Sequence, residues 1–304
     1  MMPTISVLIC TRNRSNLLRR CLISLSNQTP KPYEVIIVDN GSRDNTKEIC
    51  DSFAGKMSLQ YVFENHVGLP YARNAGIRLA SGDVYAFIDD DCVAKRNWIR
   101  SITDHFSVNQ KSVGIIGKIF NATPDNIYSA VEHAYYQRWL GQNVENPMQP
   151  GKILSGQVVD FKNAVFRSSF IRRFKFSNRV PYGDVGDEDI EIGLRLYQAN
   201  DSIYFDPSVV VYHRYSQSLN RLIVRNFWNG YANQELRLYL SGSYSLKQPK
   251  KVSLNFTTDA RQINKLLFAL LLFSYPVFST TGKIYSVLLN LLHVSGRIPI
   301  RFHE

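Results

Sequence analysis

"VYAFIDDDCV", residues 84–93, sets a run of apolar side chains directly before three consecutive aspartates. Val84, Tyr85, Ala86, Phe87 and Ile88 have the composition of a buried strand. Asp89, Asp90 and Asp91 repel one another wherever they converge, so the end of that strand calls for a cation. Hard divalent ions such as Mg²⁺ and Mn²⁺ take carboxylate oxygens and stay free to bind phosphates. The plainer reading of any one of these acids is a turn or cap residue.

Strand-like runs of the same kind precede the triplet at "ISVLIC" (5–10), "EVIIVD" (34–39) and "LQYVFE" (59–64), separated by segments of helical patterning. That alternation predicts an α/β fold. Leu17, Leu18, Cys21, Leu22 and Leu25 recur at spacings of three and four, the inner face of a helix on a sheet. In "DNGSRDNTKEIC", Asn45 followed by Glu48 predicts a capping box. Helix formers follow it, which weighs against a hairpin at "DNG". "PYARNAGIRLA" (70–80) opens a helix with Pro70 in its first turn.

Further along, "DNIYSAVEHAYYQRWLG" (125–141) reads as a helix, "QNVENPMQPGKILSG" as a mobile loop and "QVVDFKNAVFR" as a strand. "DEDIEIGLRLYQAN" (187–200) predicts a helix with Ile190, Leu194 and Tyr197 on one face and acids in its first turn, where the helix dipole favours them. "SIYFDPSVVVYHRY" (202–215) closes this part in extended chain. Tyr128, Tyr135, Tyr136 and Trp139 have the spacing of core packing, with an aromatic platform for an acceptor sugar as the alternative.

The chain of 304 residues, 44% of them hydrophobic, is long enough for one large domain or two smaller ones. Cys10, Cys21, Cys50 and Cys92 form no CxxC pair, which predicts reduced, cytosolic thiols rather than disulfides or a zinc site. "MMPTISVLICTR" reads as a first strand rather than a signal peptide. The net charge of +11 is uneven: residues 1–206 carry 24 Lys and Arg against 22 Asp and Glu, and the remaining 98 carry 12 against 3. A basic tail expects an anionic partner.

Acids at the ends of parallel strands sit at the mouth of an open α/β sheet, where ligands bind. Asp39 and the triplet are such acids. Neither a P-loop lysine motif nor a GxGxxG follows the first strand, so the ATPase and dinucleotide readings lack their phosphate cradles. At this point the order of motifs is informative. "SVLICTRNR", "EVIIVDNGSRDNT", "GLPYARNAGIRLASGDVYAFIDDD", "NAVFR" and "DEDIEIGLRL" together resemble an inverting family 2 glycosyltransferase of the GT-A fold, over roughly residues 4–215.

The resemblance implies a Rossmann-like mixed sheet that binds a nucleoside-diphosphate sugar with Mn²⁺ or Mg²⁺. By position, Thr11 and Arg12 line the nucleotide pocket, Asp39 accepts from a base N–H, and Arg73 lies near the diphosphate. Asp89 contacts ribose or the metal shell, Asp91 ligates the metal, and His213 adds a further metal contact. Asp90 need bind nothing. Asp189 is the base that takes the acceptor hydroxyl's proton. Its helix N-terminus makes it a weak base unless burial or Glu188 raises its pKa.

The domain expected from this reading spans residues 1–215, followed by a basic, apolar helical extension over 216–304. "LLFALLLFSYPVFSTTG" (266–282) carries no charge and is broken by Pro276. Its length is at the lower limit for a span, so a helical pair lying in the membrane interface is expected, with a spanning helix and a core helix as alternatives. The tail's basic residues are scattered among leucines, which disfavours nucleic acid. The reading is a metal-dependent inverting transferase, peripheral on the inner face of the plasma membrane, acting on a glycan or lipid-linked acceptor. A sugar nucleotidyltransferase and an inert sugar-nucleotide or membrane-binding module are the rivals. "TRNRSN" lacks the glycines the former needs.

Overall fold

Parallel strands buried on both faces need helices above and below them, and the chain supplies these in alternation. The computed structural model describes residues 2–177, 188–200, 202–240, 277, 279–281 and 283. The first half runs β1 (Ile5–Thr11), α1 (Ser15–Ser26), β2 (Glu34–Asp39), α2 (Thr46–Asp51), β3 (Leu59–Phe63), α3 (Leu69–Leu79) and β4 (Val84–Ile88). These strands lie parallel in the order β3-β2-β1-β4.

Alternation along each strand divides the core between the two faces. Val7, Ile9, Val35 and Ile37 pack with Leu18, Cys21, Leu22 and Leu25 of α1. Leu8, Ile36 and Val38 face the other way, onto Ala72, Ala75 and Ile77 of α3. The expected capping box at Asn45 does not form: its side chain makes no cap bond, and Asp44 instead accepts from the backbone N–H and hydroxyl of Thr46. An aspartate one residue earlier thus satisfies the first N–H of the helix rather than the donors a capping box would reach. Pro70 lies in the first turn of α3 as expected.

The second half is β5 (Cys92–Ala94), α4 (Trp98–Val108), β6 (Gly114–Asn121), α5 (Ile127–Asn143), β7 (Gly151–Lys152), a 3₁₀ turn (Gly156–Val158), β8 (Asn163–Arg167), α6 (Ser168–Ile171), α7 (Glu188–Ala199), β9 (Ile203–His213) and α8 (Leu219–Leu240). The sheet continues β4-β8-β6-β9-β5, with β8 antiparallel to β4 and β7 added along β9. The β4–β8 pairing is what places the start of β8 beside the acid triplet.

Three sequence expectations change here. "QVVDFKNAVFR" is strand only from Asn163; its first half turns, because Asp160 and Lys162 interrupt the apolar run. The expected mobile loop is pinned to the sheet, with Val144 bridging Ile153 and β7 pairing with β9, since Ile153 is buried. The inner face of α7 is Ile192 and Leu196, with Leu194 also buried; Ile190 is half-buried and Tyr197 packs at the edge.

The aromatic row of α5 packs as helical spacing implies. Tyr136 and Trp139 lie against the main core, and Tyr128 and Tyr135 against Val131 and Leu222. α8 is tied to the domain at its start: Glu132 of α5 accepts from Ser216 N–H and pairs with Arg225 at 3.0 Å. At Gly230 the backbone of Ser279 lies so close that a Cβ would come within 1.9 Å of its carbonyl oxygen. The remainder of the interfacial tail proposed from sequence lies outside the described residues. Among the described residues, no helix is long and apolar enough to cross a membrane.

Candidate active site

The register of β1 on β2 sets Thr11 beside Asp39 at the sheet's C-terminal edge. Asp39 is buried, and its two oxygens accept from Ser42 N–H and Tyr61 Oη, each at 2.8 Å. Those bonds fix the carboxylate's plane and leave it acceptor capacity for a ligand N–H. Arg12 is exposed on the rim. Neighbouring loops are braced to one another: Asn13 Oδ1 accepts from Arg43 N–H, and Asn40 Oδ1 accepts from Gly68 N–H at 2.6 Å. Asn13 itself sits at φ 54°, a left-handed conformation that asparagine tolerates.

At the end of β4 the three aspartates part. Asp90 turns inward, accepting from Thr11 Oγ1 at 2.7 Å and Arg14 at 3.1 Å. Burial, with Asp91 adding to it, pushes Asp90 up to about 7 against the pull of Arg14. Asp91 also meets Arg14, at 3.4 Å, and its Oδ1 lies 3.3 Å from His213 Nε2. Burial would raise the Asp91 pKa, but His213 and Arg14 hold it well below the usual range. Asp90, which the resemblance left without a ligand, is the tie between β1 and the triplet.

Asp89 faces the other way, 3.9 Å from Arg73. Arg73 is buried over the edge-to-face pair of Phe161 and Phe176, at 5.0 and 5.2 Å from their centroids, and its guanidinium also binds Glu188 and Asp189. The first turn of α7 thereby meets the end of β4 through one side chain. Asp189 Oδ2 further accepts from Phe161 N–H at 3.2 Å. Burial and the adjacent Glu188 raise Asp189 well above the ordinary carboxylate range, with Arg73 opposing. The lowering expected from the helix terminus is therefore outweighed, in the direction a proton acceptor needs.

Two residues of this site escaped the sequence reading. Asp160 and Lys162, a pair at 2.8 Å, occupy the turn before β8. Their signal was two opposite charges inside an apolar run, where charges persist only if paired. Both act electrostatically on Asp89 and on Asp189.

A Rossmann-like half, an acid triplet at β4 and a helix-borne acid joined to it on a mixed sheet define the GT-A class of glycosyltransferase fold. The glycosyl transferase family 2 profile matches residues 6–174, more than half the chain, and the chain belongs to that family. It is 28% identical over 217 residues to validoxylamine A glucosyltransferase of Streptomyces hygroscopicus subsp. limoneus, covering 64% of this chain and 48% of that protein. The chain thus spans about half the length of that relative. It is 26% identical over 256 residues to the glucosyl-dolichyl phosphate glucuronosyltransferase of Haloferax volcanii, covering 77% of each.

Among solved structures, mannosyltransferase PcManGT from Pyrobaculum calidifontis, in complex with GDP-Man and Mn²⁺, superposes with a TM-score of 0.60 at 15% identity, covering 98% of this chain and 77% of that one. S. aureus TarS 1-349 in complex with UDP-GlcNAc gives 0.57 at 14%, covering 96% and 76%. Identities this low speak to the fold alone.

Proposed function

We propose that the chain is a metal-dependent inverting glycosyltransferase that moves a sugar from a nucleoside-diphosphate sugar to a hydroxyl of a glycan or lipid-linked acceptor. The observation that carries this reading is the sharing of Arg73 between Asp89 and Asp189, which joins the nucleotide end of the sheet to a buried acid of raised pKa in one cleft.

Thr11, Arg12 and Asp39 receive the nucleoside, and Asp89 the ribose or the metal shell. Asp189 takes the acceptor hydroxyl's proton as its oxygen attacks the anomeric carbon opposite the leaving group, which inverts that centre. The residues fit a divalent cation. A carboxylate oxygen and an imidazole nitrogen 3.3 Å apart, Asp91 Oδ1 and His213 Nε2, converge as adjacent ligands would. Among the described residues no group of three His, Cys, Asp or Glu side chains converges on one point. Such ions are held by one or two protein groups plus substrate phosphates, so Asp91 and His213 would hold it, with Asp89 in its shell. When bound, the cation neutralises charge on the departing diphosphate. Arg73, assigned to the diphosphate by resemblance, is here engaged by three carboxylates, and its role is to position Asp189.

The basic, apolar composition of residues 216–304 supports a place on an anionic membrane surface, at the inner face of the plasma membrane. A panel of nucleoside-diphosphate sugars with Mn²⁺ or Mg²⁺ tests the reading, following nucleoside diphosphate release with and without anionic vesicles. Metal-dependent release from one donor class supports it. Release of pyrophosphate from a nucleoside triphosphate and a sugar phosphate would replace it with nucleotidyl transfer, and no turnover or binding would leave an inert module.

A further inference from the structure

Lys162 is the residue whose placement the proposed chemistry leaves unused. The antiparallel pairing of β4 with β8 ends at Ile88 opposite Asn163, which leaves Asp89 and Lys162 one residue beyond it on adjoining chains, where each acts electrostatically on the other. On the same turn, Phe161 N–H binds Asp189. Lys162 therefore lies between the acid assigned to the nucleotide end and the acid assigned to the acceptor. A donor laid from Asp89 toward Asp189 runs its diphosphate through that interval, since ribose, phosphates and anomeric carbon follow in that covalent order.

Three neighbouring guanidinium groups are engaged by carboxylates, Arg225 by Glu132. Arg73 serves Asp89, Glu188 and Asp189, and Arg14 serves Asp90 and Asp91. Lys162 pairs with Asp160 at 2.8 Å, and Asp160 also accepts Lys162's own backbone N–H at 3.0 Å, which fixes the turn. An ammonium has three donors, so one bond to Asp160 leaves two for a ligand. Its side chain is 17% exposed, largely desolvated but not sealed from solvent.

We propose that Lys162 is a diphosphate-binding residue, held in place by Asp160, that donates to the phosphate oxygen on which negative charge develops in transfer. This rests on the proposed function and specifies its leaving-group side. As the acceptor oxygen bonds the anomeric carbon and loses its proton to Asp189, the bond from that carbon to the phosphate oxygen breaks with its electron pair. Lys162 keeps its protons throughout and supplies a charge-assisted hydrogen bond to that oxygen.

The test is calorimetric binding of UDP, GDP and the corresponding nucleosides to full-length protein, first in EDTA and then with Mn²⁺. Lys162→Met should weaken the preferred nucleoside diphosphate by about tenfold or more in EDTA, the scale of one hydrogen bond to a charged group. Nucleoside affinity should stay within about twofold. Lys162→Arg should recover most of the loss. Because Lys162→Met strands Asp160, the pair variant Asp160→Asn with Lys162→Met removes both charges and should show the same diphosphate-selective loss. Equal losses for nucleoside and diphosphate, or none in either variant, would overturn the proposal. Wild-type protein that binds no nucleoside diphosphate would instead remove the proposed function, and this inference with it.

Discussion

Replacing Gly193 by alanine sets helix propensity against packing, and the structure says packing wins. Gly193 lies inside α7, where alanine is the better helix former by about 1 kcal/mol. The added Cβ, however, would lie 2.3 Å from the carbonyl oxygen of Gly156 and 2.8 Å from Val159 Cβ, where ordinary contact starts at 3.4 Å. Relief requires α7 and the 3₁₀ turn to separate by roughly 1 Å, and overpacking of this kind costs about 1–3 kcal/mol. The net loss is then up to about 2 kcal/mol, or up to several degrees in Tm.

The larger effect falls on turnover. The 3₁₀ turn ends three residues before Phe161, whose N–H holds Asp189, so separation draws the proposed proton acceptor away from its support. A misplacement of about 1 Å costs on the order of 10²-fold in rate. Nucleoside affinity should barely move, because Thr11 and Asp39 belong to β1 and β2, away from the displaced turn. Thermal melts, initial transfer rates and calorimetric nucleoside binding on one preparation separate these effects. A Gly193→Ala protein that melts higher and turns over at the wild-type rate would refute the reasoning.

Asp189→Asn should leave donor affinity within a few-fold but cut transfer by on the order of 10²–10⁴, because the proposed proton acceptor is lost while Glu188 still pairs with Arg73; a large loss of donor binding would place Asp189 in the nucleotide pocket instead. Asp91→Ala should weaken metal-dependent donor binding and lower turnover by on the order of 10²–10³, and full wild-type activity in excess EDTA would rule this out. Asp206 offers a pH test away from the site. Burial would raise its pKa, but hydrogen bonds from His105 and Ser208 lower it. A depressed folded pKa contributes stability above the ordinary aspartate value near 3.9, which is lost as pH falls through the folded value. The stability gap between wild type and Asp206→Asn in urea should therefore narrow from neutral pH toward about pH 3; a gap constant across that range would contradict it.

The parallel half of the sheet was legible because strands buried on both faces leave unbroken apolar runs, as at Val35–Val38 and Val84–Ile88. Short pieces leave no such trace: β5 and β7 span three and two residues. The acids announced themselves by position at strand ends, but their partners did not. Arg73 meets Glu188 across 115 residues of sequence, and Thr11 meets Asp90 across 79, separations over which no periodicity operates. Asp160 and Lys162 stood in plain view and were absorbed into a predicted strand, since a charge inside an apolar run reads as noise until its partner is placed.

Arg73 makes the two ends of the fold interdependent in heredity as well as in space. It lies on α3, in the half of the chain that forms the parallel strands, yet it is neutralised largely by carboxylates on α7, beyond β8. A chimera that keeps the first half of this chain and takes its acceptor half from another protein inherits a buried guanidinium. Unless the incoming helix opens with paired acids, that charge is stranded between Phe161's counterpart and the sheet, and the hybrid loses stability before any question of its specificity arises. Exchange of acceptor modules is therefore confined to donors that carry acids at the start of that helix, whatever sugar they act upon.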